Sequence, residues 1–170
     1  MTLTHQQPTL SNLSVTLSPP PIGEMWPGQG GIYLGLLQYA DGAFHTIAAA
    51  NDVPGLHTYG DDGVVGTATC RLDGRANTDV LIKQQGRHPA AIAAIGFTAE
   101  GHADFFLPAI DALHHAYKIA PESFSKNCVY WSSTQSGANC ALGLYFDNGW
   151  IFEDVKFGAR LVRPYRRLLP

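Results

Sequence analysis

Residues 127–135 place two large aromatic side chains directly before three small hydroxyl residues, and this pattern constrains the fold more than any other. The centre of the segment reads Tyr130-Trp131-Ser132-Ser133-Thr134. Tyrosine and tryptophan bury large apolar areas, and each keeps a polar atom that needs a hydrogen-bond partner. Hydroxyl side chains bond to nearby backbone groups, mostly in turns and irregular segments. The segment therefore predicts a strand that enters the core and leaves it through a loop held by hydrogen bonds.

Length and charge restrict the class of protein. A chain of 170 residues suits one domain with a sizeable core. Its net charge of −3 argues against binding nucleic acid by neutralising phosphates. No apolar run approaches the roughly 20 residues needed to cross a bilayer, so membrane insertion is not expected. The first residues lack the basic and apolar regions of a secretory signal, so we expect assembly in a cytoplasm.

Residues 1–29 are predicted to form an extended N-terminal arm. Three consecutive prolines favour a stiff polyproline conformation and cannot lie in a central strand. Apolar residues before them alternate as in a strand with one buried face. Such an arm can anchor the chain to another subunit or a larger assembly, and a frayed terminus is the alternative. The residues predicted to make the contacts of the arm are Leu10, Leu13, Val15, Leu17, Pro19, Pro20 and Pro21.

Residues 30–170 are predicted to be one α+β domain with β regions on both sides of a helical middle. Turn residues at 40–42 and 147–149 each separate two apolar, β-prone runs, which predicts two hairpins. A last strand is predicted within 158–167, where Pro164 disturbs it or places it at a sheet edge.

Two or three short helices are predicted between these β regions. The first covers 79–85, with Asn77 or Thr78 as its cap and Gly86 at its end. The second covers 89–95 and the third 107–118. In the third helix, four residues at helical spacing predict one buried stripe. These residues are Ile110, Leu113, His114 and Tyr117.

Several chemical features leave alternatives open. The three cysteines have no metal-ligand spacing, and a Cys128–Cys140 disulfide is an alternative to reduced, buried thiols. Asp61 and Asp62 suggest a calcium site, but a solvated turn is expected because no further acidic residues follow at ligand spacing. No metal or cofactor is expected. No serine lies in a Gly-x-Ser-x-Gly motif and no carboxylate pair stands out, so we do not expect an enzyme.

Several motifs follow one another in a specific order over roughly residues 30–167. They are Asp73–Thr78, Asp104–Pro108, Tyr130–Gln135, Phe146–Gly149, Lys156 and Arg160–Arg163. This series resembles the Lcl C-terminal domain family, which is common in bacterial surface proteins and in proteins of tailed phages. The resemblance implies a C-type-lectin-like fold. The calcium-dependent sugar-binding elements of C-type lectins are absent.

The resemblance implies that the central segment is core and that the final hairpin supports an exposed binding face. The structural residues are then Tyr130, Trp131, Ser132, Leu113, Tyr117, Arg160 and Arg163. Candidate ligand contacts on the last loops and hairpin are Asn127, Gln135, Ser136, Asn139, Tyr145 and Trp150.

The function expected from these features is that of a phage virion protein which binds a host-surface glycan or protein from a tail fibre, collar or head fibre. Its partners would be other virion proteins, through the arm, and further copies of the chain in a homo-oligomer. A purely structural decoration or attachment subunit is the alternative, followed by a bacterial surface adhesin. Four arginines in 160–167 either form an anion-binding patch or pair with carboxylates such as Asp111 or Glu153, and pairing is expected.

Overall fold

The computed structural model describes residues 18–62, 67–84 and 87–170. Mostly antiparallel strands and three short α-helices make up these ranges, which confirms the α+β class. The strands are β1 (Met25–Trp26), β2 (Gly31–Tyr39), β3 (Gly42–Ala49), β4 (His57–Thr58), β5 (Val129–Gln135), β6 (Cys140–Tyr145), β7 (Trp150–Val155), β8 (Ala159–Arg160) and β9 (Tyr165–Leu168). The helices are α1 (Gly74–Ile82), α2 (Pro89–Ile95) and α3 (Ile110–Ile119).

In the described ranges the strands form three sheets. Their orders are β1-β2-β3-β9, β4-β8 and β5-β6-β7. Both predicted hairpins, β2–β3 and β6–β7, are confirmed. In the second turn Gly149 has a φ of 74°. A Cβ atom there would lie 2.3 Å from the ring of Tyr117, so both the turn and the packing require glycine.

Strand β1 lies within the residues that the sequence assigns to the arm. Strand β1 pairs with β2, and buried Trp26 lies edge-on to Tyr33 with ring centroids 5.0 Å apart. Before them, Pro19 and Pro21 are exposed and Pro20 is half-buried. The other predicted arm contacts lie outside the described residues: Leu10, Leu13, Val15 and Leu17.

Helix α1 begins earlier than predicted because a different residue caps it. The Asp73 side chain accepts a hydrogen bond of 2.9 Å from the backbone N–H of Ala76. The predicted caps Asn77 and Thr78 are instead buried inside the helix. The predicted end at Gly86 lies outside the described residues.

Helix α2 matches its predicted bounds, whereas α3 begins at Ile110 rather than at residue 107. Pro108 disfavours the helical conformation of the residue before it. Strand β5 stabilises the first turn of α3, because the Thr134 hydroxyl accepts a hydrogen bond from the Ile110 N–H at 3.1 Å. The predicted stripe is half right: Ile110 and Leu113 are buried, but His114 and Tyr117 are only half-buried, and the alanines of α3 complete the buried face.

Strand β5 is shared by two hydrophobic cores. Tyr130 and Trp131 are both fully buried, and successive strand residues point to opposite faces. Tyr130 packs in a core with α3 and the β2–β3 sheet, whereas Trp131 packs in a second core with α1 and α2. The C-terminal segment repeats this division, since Leu161 contacts the first core and Val162 the second.

The hydroxyl residues after Trp131 stay inside β5 and are buried, which corrects the expected exit through a loop. The pairing of β5 with β6 is irregular between Trp131 and Gln135, and the hydroxyls bond to backbone there as predicted. Ser132 donates to the Leu142 carbonyl at 2.6 Å, and Thr134 donates to the Cys70 carbonyl at 2.9 Å.

The predicted single last strand is two strands in different sheets, β8 and β9, with Pro164 between them. The four arginines of residues 160–167 do pair with carboxylates, but their partners are not the predicted ones. Asp111 pairs with Arg71 instead, and Glu153 is exposed. The pairs are Arg160–Asp154, Arg163–Asp52, Arg166–Asp104 and Arg167–Asp41.

The ion pair between Arg163 and Asp52 connects the last segment, residues 158–167, to the centre of the molecule. Arg163 donates from Nε to the Asp52 carboxylate at 2.5 Å, and its other nitrogens donate to backbone carbonyls, including that of Ala49 at 3.0 Å. The Tyr130 hydroxyl donates to the second Asp52 oxygen at 2.9 Å. Burial raises the pKa of Tyr130 to about 12, so this hydroxyl keeps its proton.

The Cys128–Cys140 disulfide is excluded, since both thiols are free. Val129 pairs with Tyr145 at one end of the β5–β6 ladder, whereas Cys140 begins β6 at the other end. The two cysteines are therefore separated by the length of the strand.

Replacing Trp131 with alanine should lower the free energy of unfolding by about 3–5 kcal/mol, because the side chain is fully buried in the second core. The matched control is Trp150→Ala, which removes an exposed indole and should change stability by less than about 0.5 kcal/mol. Urea denaturation measures both. Equal losses would contradict the assignment of Trp131 to the core.

Arg163→Ala should cost about 3 kcal/mol, because it leaves Asp52 without its charged partner in a largely buried site. Arg71→Ala removes an exposed ion pair with Asp111 and should cost less than about 1 kcal/mol. Thermal unfolding of the two variants tests this. A variant at Arg163 as stable as the Arg71 variant would show that the network does not hold the last segment in place.

Candidate functional site

The outer face of the β5-β6-β7 sheet is covered at one end and open at the other. Trp131 pairs with Gly143, and Val129 pairs with Tyr145. At the Trp131 end the second core, which includes Ala141, covers the face. At the Val129 end the face is open, because Val129, Tyr145 and Phe152 are half-buried and Trp150 is exposed.

These outward side chains form an aromatic groove, defined by Val129, Tyr145, Trp150 and Phe152. Tyr145 pairs with Trp150 across the strands, so both lie on the same face. Trp150 is 65% exposed, and its ring centroid lies 5.8 Å from that of Phe152 at an angle of 49°. The groove has a volume of about 250 Å³.

Buried Gly143 lies between two of the residues that line this groove, Val129 and Phe152. It pairs with Phe152 on β7. A Cβ atom at this position would lie 2.8 Å from Val129 Cγ1 and 3.6 Å from Phe152 Cζ. Since the glycine carries no side chain, the flanking Val129 and Phe152 can approach each other over the strand.

One end of the aromatic groove continues into a more polar depression of about 230 Å³. The two share Val129 and Tyr145 as lining residues. We call this depression the polar end of the groove. Its other lining residues are Leu56, Asn127, Cys128, Ala159 and Arg160.

Arg160 brings a positive charge to the polar end. It lies on β8, opposite His57 of β4. Its Nε donates to the Asp154 carboxylate at 2.6 Å, and its side chain is 32% exposed. Arg160 therefore lies at the surface of the groove and is not the core residue that the sequence predicts.

Three predicted ligand contacts are brought together by the structure. Asn127 and Tyr145 line the polar end, and Tyr145 and Trp150 line the aromatic groove. The other three are placed elsewhere. Gln135 is only 3% exposed, which corrects its prediction as an exposed contact.

Ser136 and Asn139 are exposed, but they lie in the turn before Cys140, at the far end of β6 from Tyr145. At roughly 3.4 Å per residue, β6 separates the two ends by about 17 Å. Buried Lys156 supports this far turn by donating from Nζ to the Ala138 carbonyl at 2.6 Å, and burial lowers the pKa of its ammonium group.

Three further residues line the groove, although the sequence does not predict them as ligand contacts. They are Val129, Phe152 and Arg160. The alternation of β7 predicts that Phe152 shares a face with Trp150, so that residue could have been found. Val129 and Arg160 reach the groove only through the pairing of distant strands.

The groove offers a surface that a ligand can bind. Aromatic rings give a flat apolar surface, and Asn127, Tyr145 and Arg160 add polar groups at one end. In the described parts of the chain, no three His, Cys, Asp or Glu side chains are grouped so that they could hold a metal ion. None of the helices described is long and apolar enough to span a membrane.

Comparison of the sequence with protein-family models gives no match, and comparison with curated proteins gives none either.

The exposed indole of Trp150 provides a spectroscopic test of the groove. The chain has three tryptophans, and Trp26 and Trp131 are buried at 3% and 0% exposure. Fluorescence quenching by acrylamide should therefore act mainly on Trp150. The variant Trp150→Phe should lose most of the quenchable emission and keep a blue-shifted spectrum. If strong quenching persists in this variant, one of the other indoles is exposed and the described packing is wrong.

Proposed function

We propose that this chain is a receptor-binding protein of a tailed-phage virion, and that its aromatic groove binds a glycan on the host surface. The observation that carries the proposal is the pair of exposed Trp150 and half-buried Phe152. This pair lies next to a polar end that contains Asn127 and Arg160. Exposed aromatic patches bordered by polar groups are typical of interaction sites.

The groove has the two chemical features that sugar binding uses. The C–H faces of a sugar ring can stack on the rings of Trp150 and Phe152, which are 5.8 Å apart. Sugar hydroxyls need hydrogen-bond donors and acceptors, which the Asn127 amide and the Tyr145 hydroxyl supply. The ordered β5-β6-β7 pairing holds the strand-borne residues in place, so binding costs little conformational entropy.

The assignment to a virion rests on the order of sequence motifs, which resembles Lcl C-terminal domains. On that basis we propose a C-type-lectin-like fold for the globular part. The residues before the domain would attach it to other virion proteins, and the chain would act as a homo-oligomer. In this arrangement, weak single-site binding is strengthened by several copies that bind at once.

The first experiment measures binding of the full chain to an array of bacterial surface polysaccharides and to intact bacteria. Trp150→Ala should lower the affinity by about tenfold or more, as expected for an aromatic residue at the centre of a contact surface. Leu36→Ala is the matched control, because Leu36 is 51% exposed on the other large sheet. It should leave binding unchanged.

Two outcomes would reject the proposal. If wild-type protein and both variants bind cells equally well, the aromatic groove is not the binding site. If the protein binds no cell and no glycan but binds virions that lack it, a decoration or attachment subunit is the correct description.

A further inference from the structure

We propose that the polar end of the groove binds a carboxylate, so that the preferred ligand is an acidic sugar such as a uronic acid. This inference rests on the proposed function and specifies its ligand class. It follows from the way in which Arg160 is held and from the nitrogen atoms that its contacts leave unused.

Asp154 orients the guanidinium of Arg160 by accepting a hydrogen bond from its Nε atom. The Asp154 side chain is 13% exposed, and one of its oxygens accepts from Arg160 Nε at 2.6 Å. The other oxygen accepts from the backbone N–H of Val155 at 2.9 Å. Since each carboxylate oxygen has a donor, Asp154 acts as a fixed support for one edge of the guanidinium.

The two terminal nitrogens of the guanidinium differ in whether they have an acceptor. One terminal nitrogen donates to the Ala159 carbonyl at 2.9 Å. The other, Nη2, donates to no atom of the described residues, and it lies next to Gly158, which has no side chain to cover it. Arg160 lines the polar end, and in the proposed complex the Nη2 N–H groups donate to a ligand that lies there.

A guanidinium edge matches the two oxygens of a carboxylate, and such charge-assisted hydrogen bonds are stronger than neutral ones. Asp154 already balances part of the Arg160 charge, so a ligand group with one negative charge fits better than a dianion. An acidic sugar can place its carboxylate at Arg160 while its ring lies towards Tyr145 and Trp150. This follows because the polar end and the aromatic groove share Val129 and Tyr145.

The test compares uronic-acid oligosaccharides with the same oligosaccharides after reduction of their carboxyl groups to alcohols. Wild-type protein should bind the acidic forms about tenfold more tightly at low salt. This preference should fall when the ionic strength rises to about 0.5 M, because salt screens exposed charges. Arg160→Gln should abolish the preference. Arg160→Lys should keep part of it, since the charge remains but the planar fork is lost.

Arg71→Gln is the matched control, because Arg71 is an exposed, ion-paired arginine away from the groove. It should keep the full preference. Thermal unfolding of each variant verifies that it is folded, and the salt dependence of the wild type tests the inference even if Arg160→Gln does not fold.

Equal binding of acidic and reduced forms would overturn the carboxylate inference and leave the glycan-binding proposal standing. Binding only to phosphate-bearing glycans would also overturn it, in favour of a phosphate ligand. If wild-type protein binds neither these oligosaccharides nor any glycan of the array, the proposed function itself fails.

Discussion

The burial of strand β5 between two cores is the constraint on which the rest of the structure depends. Tyr130 serves one core and Trp131 the other, so both faces of the strand are buried from Tyr130 to Gln135. A buried strand must satisfy its backbone and hydroxyl groups internally. Ser132 and Thr134 do so by donating to the carbonyls of Leu142 and Cys70, and Arg163 fixes the neighbouring segment through Asp52.

The position of the groove follows from incomplete coverage of the same sheet. The second core covers the outer face as far as Trp131 and Ala141 and ends there. Beyond that point the face continues with Phe152, which is half-buried, and Trp150, which is exposed. The apolar alternation that builds the core therefore also builds an exposed apolar surface at its edge. Binding at this surface requires no separate structural element.

The sequence predicts local features well and long-range partners poorly. Both hairpins and α2 are determined by nearby turn or helix-start signals, and the burial of Tyr130 and Trp131 follows from their size. The predicted start of α1 is wrong because Asp73, and not Asn77, caps the helix. Both residue types can cap a helix, and only the fold decides between them. The carboxylate partners of the last arginines and the contribution of Arg160 to the groove depend on strand pairing across the whole chain, which no local pattern contains.

The arginine pairs of the last segment also determine when the molecule can finish folding. Arg163 reaches an aspartate 111 positions earlier, and Arg166 reaches Gln29 137 positions earlier. Loops of this length close slowly, because much chain entropy is lost before the contact forms. During synthesis, β2 and β3 can pair early, but β3 lacks its neighbour β9 until that strand has been made. A nascent chain therefore exposes an open sheet edge, which makes chaperone binding and aggregation competing fates until translation passes residue 168.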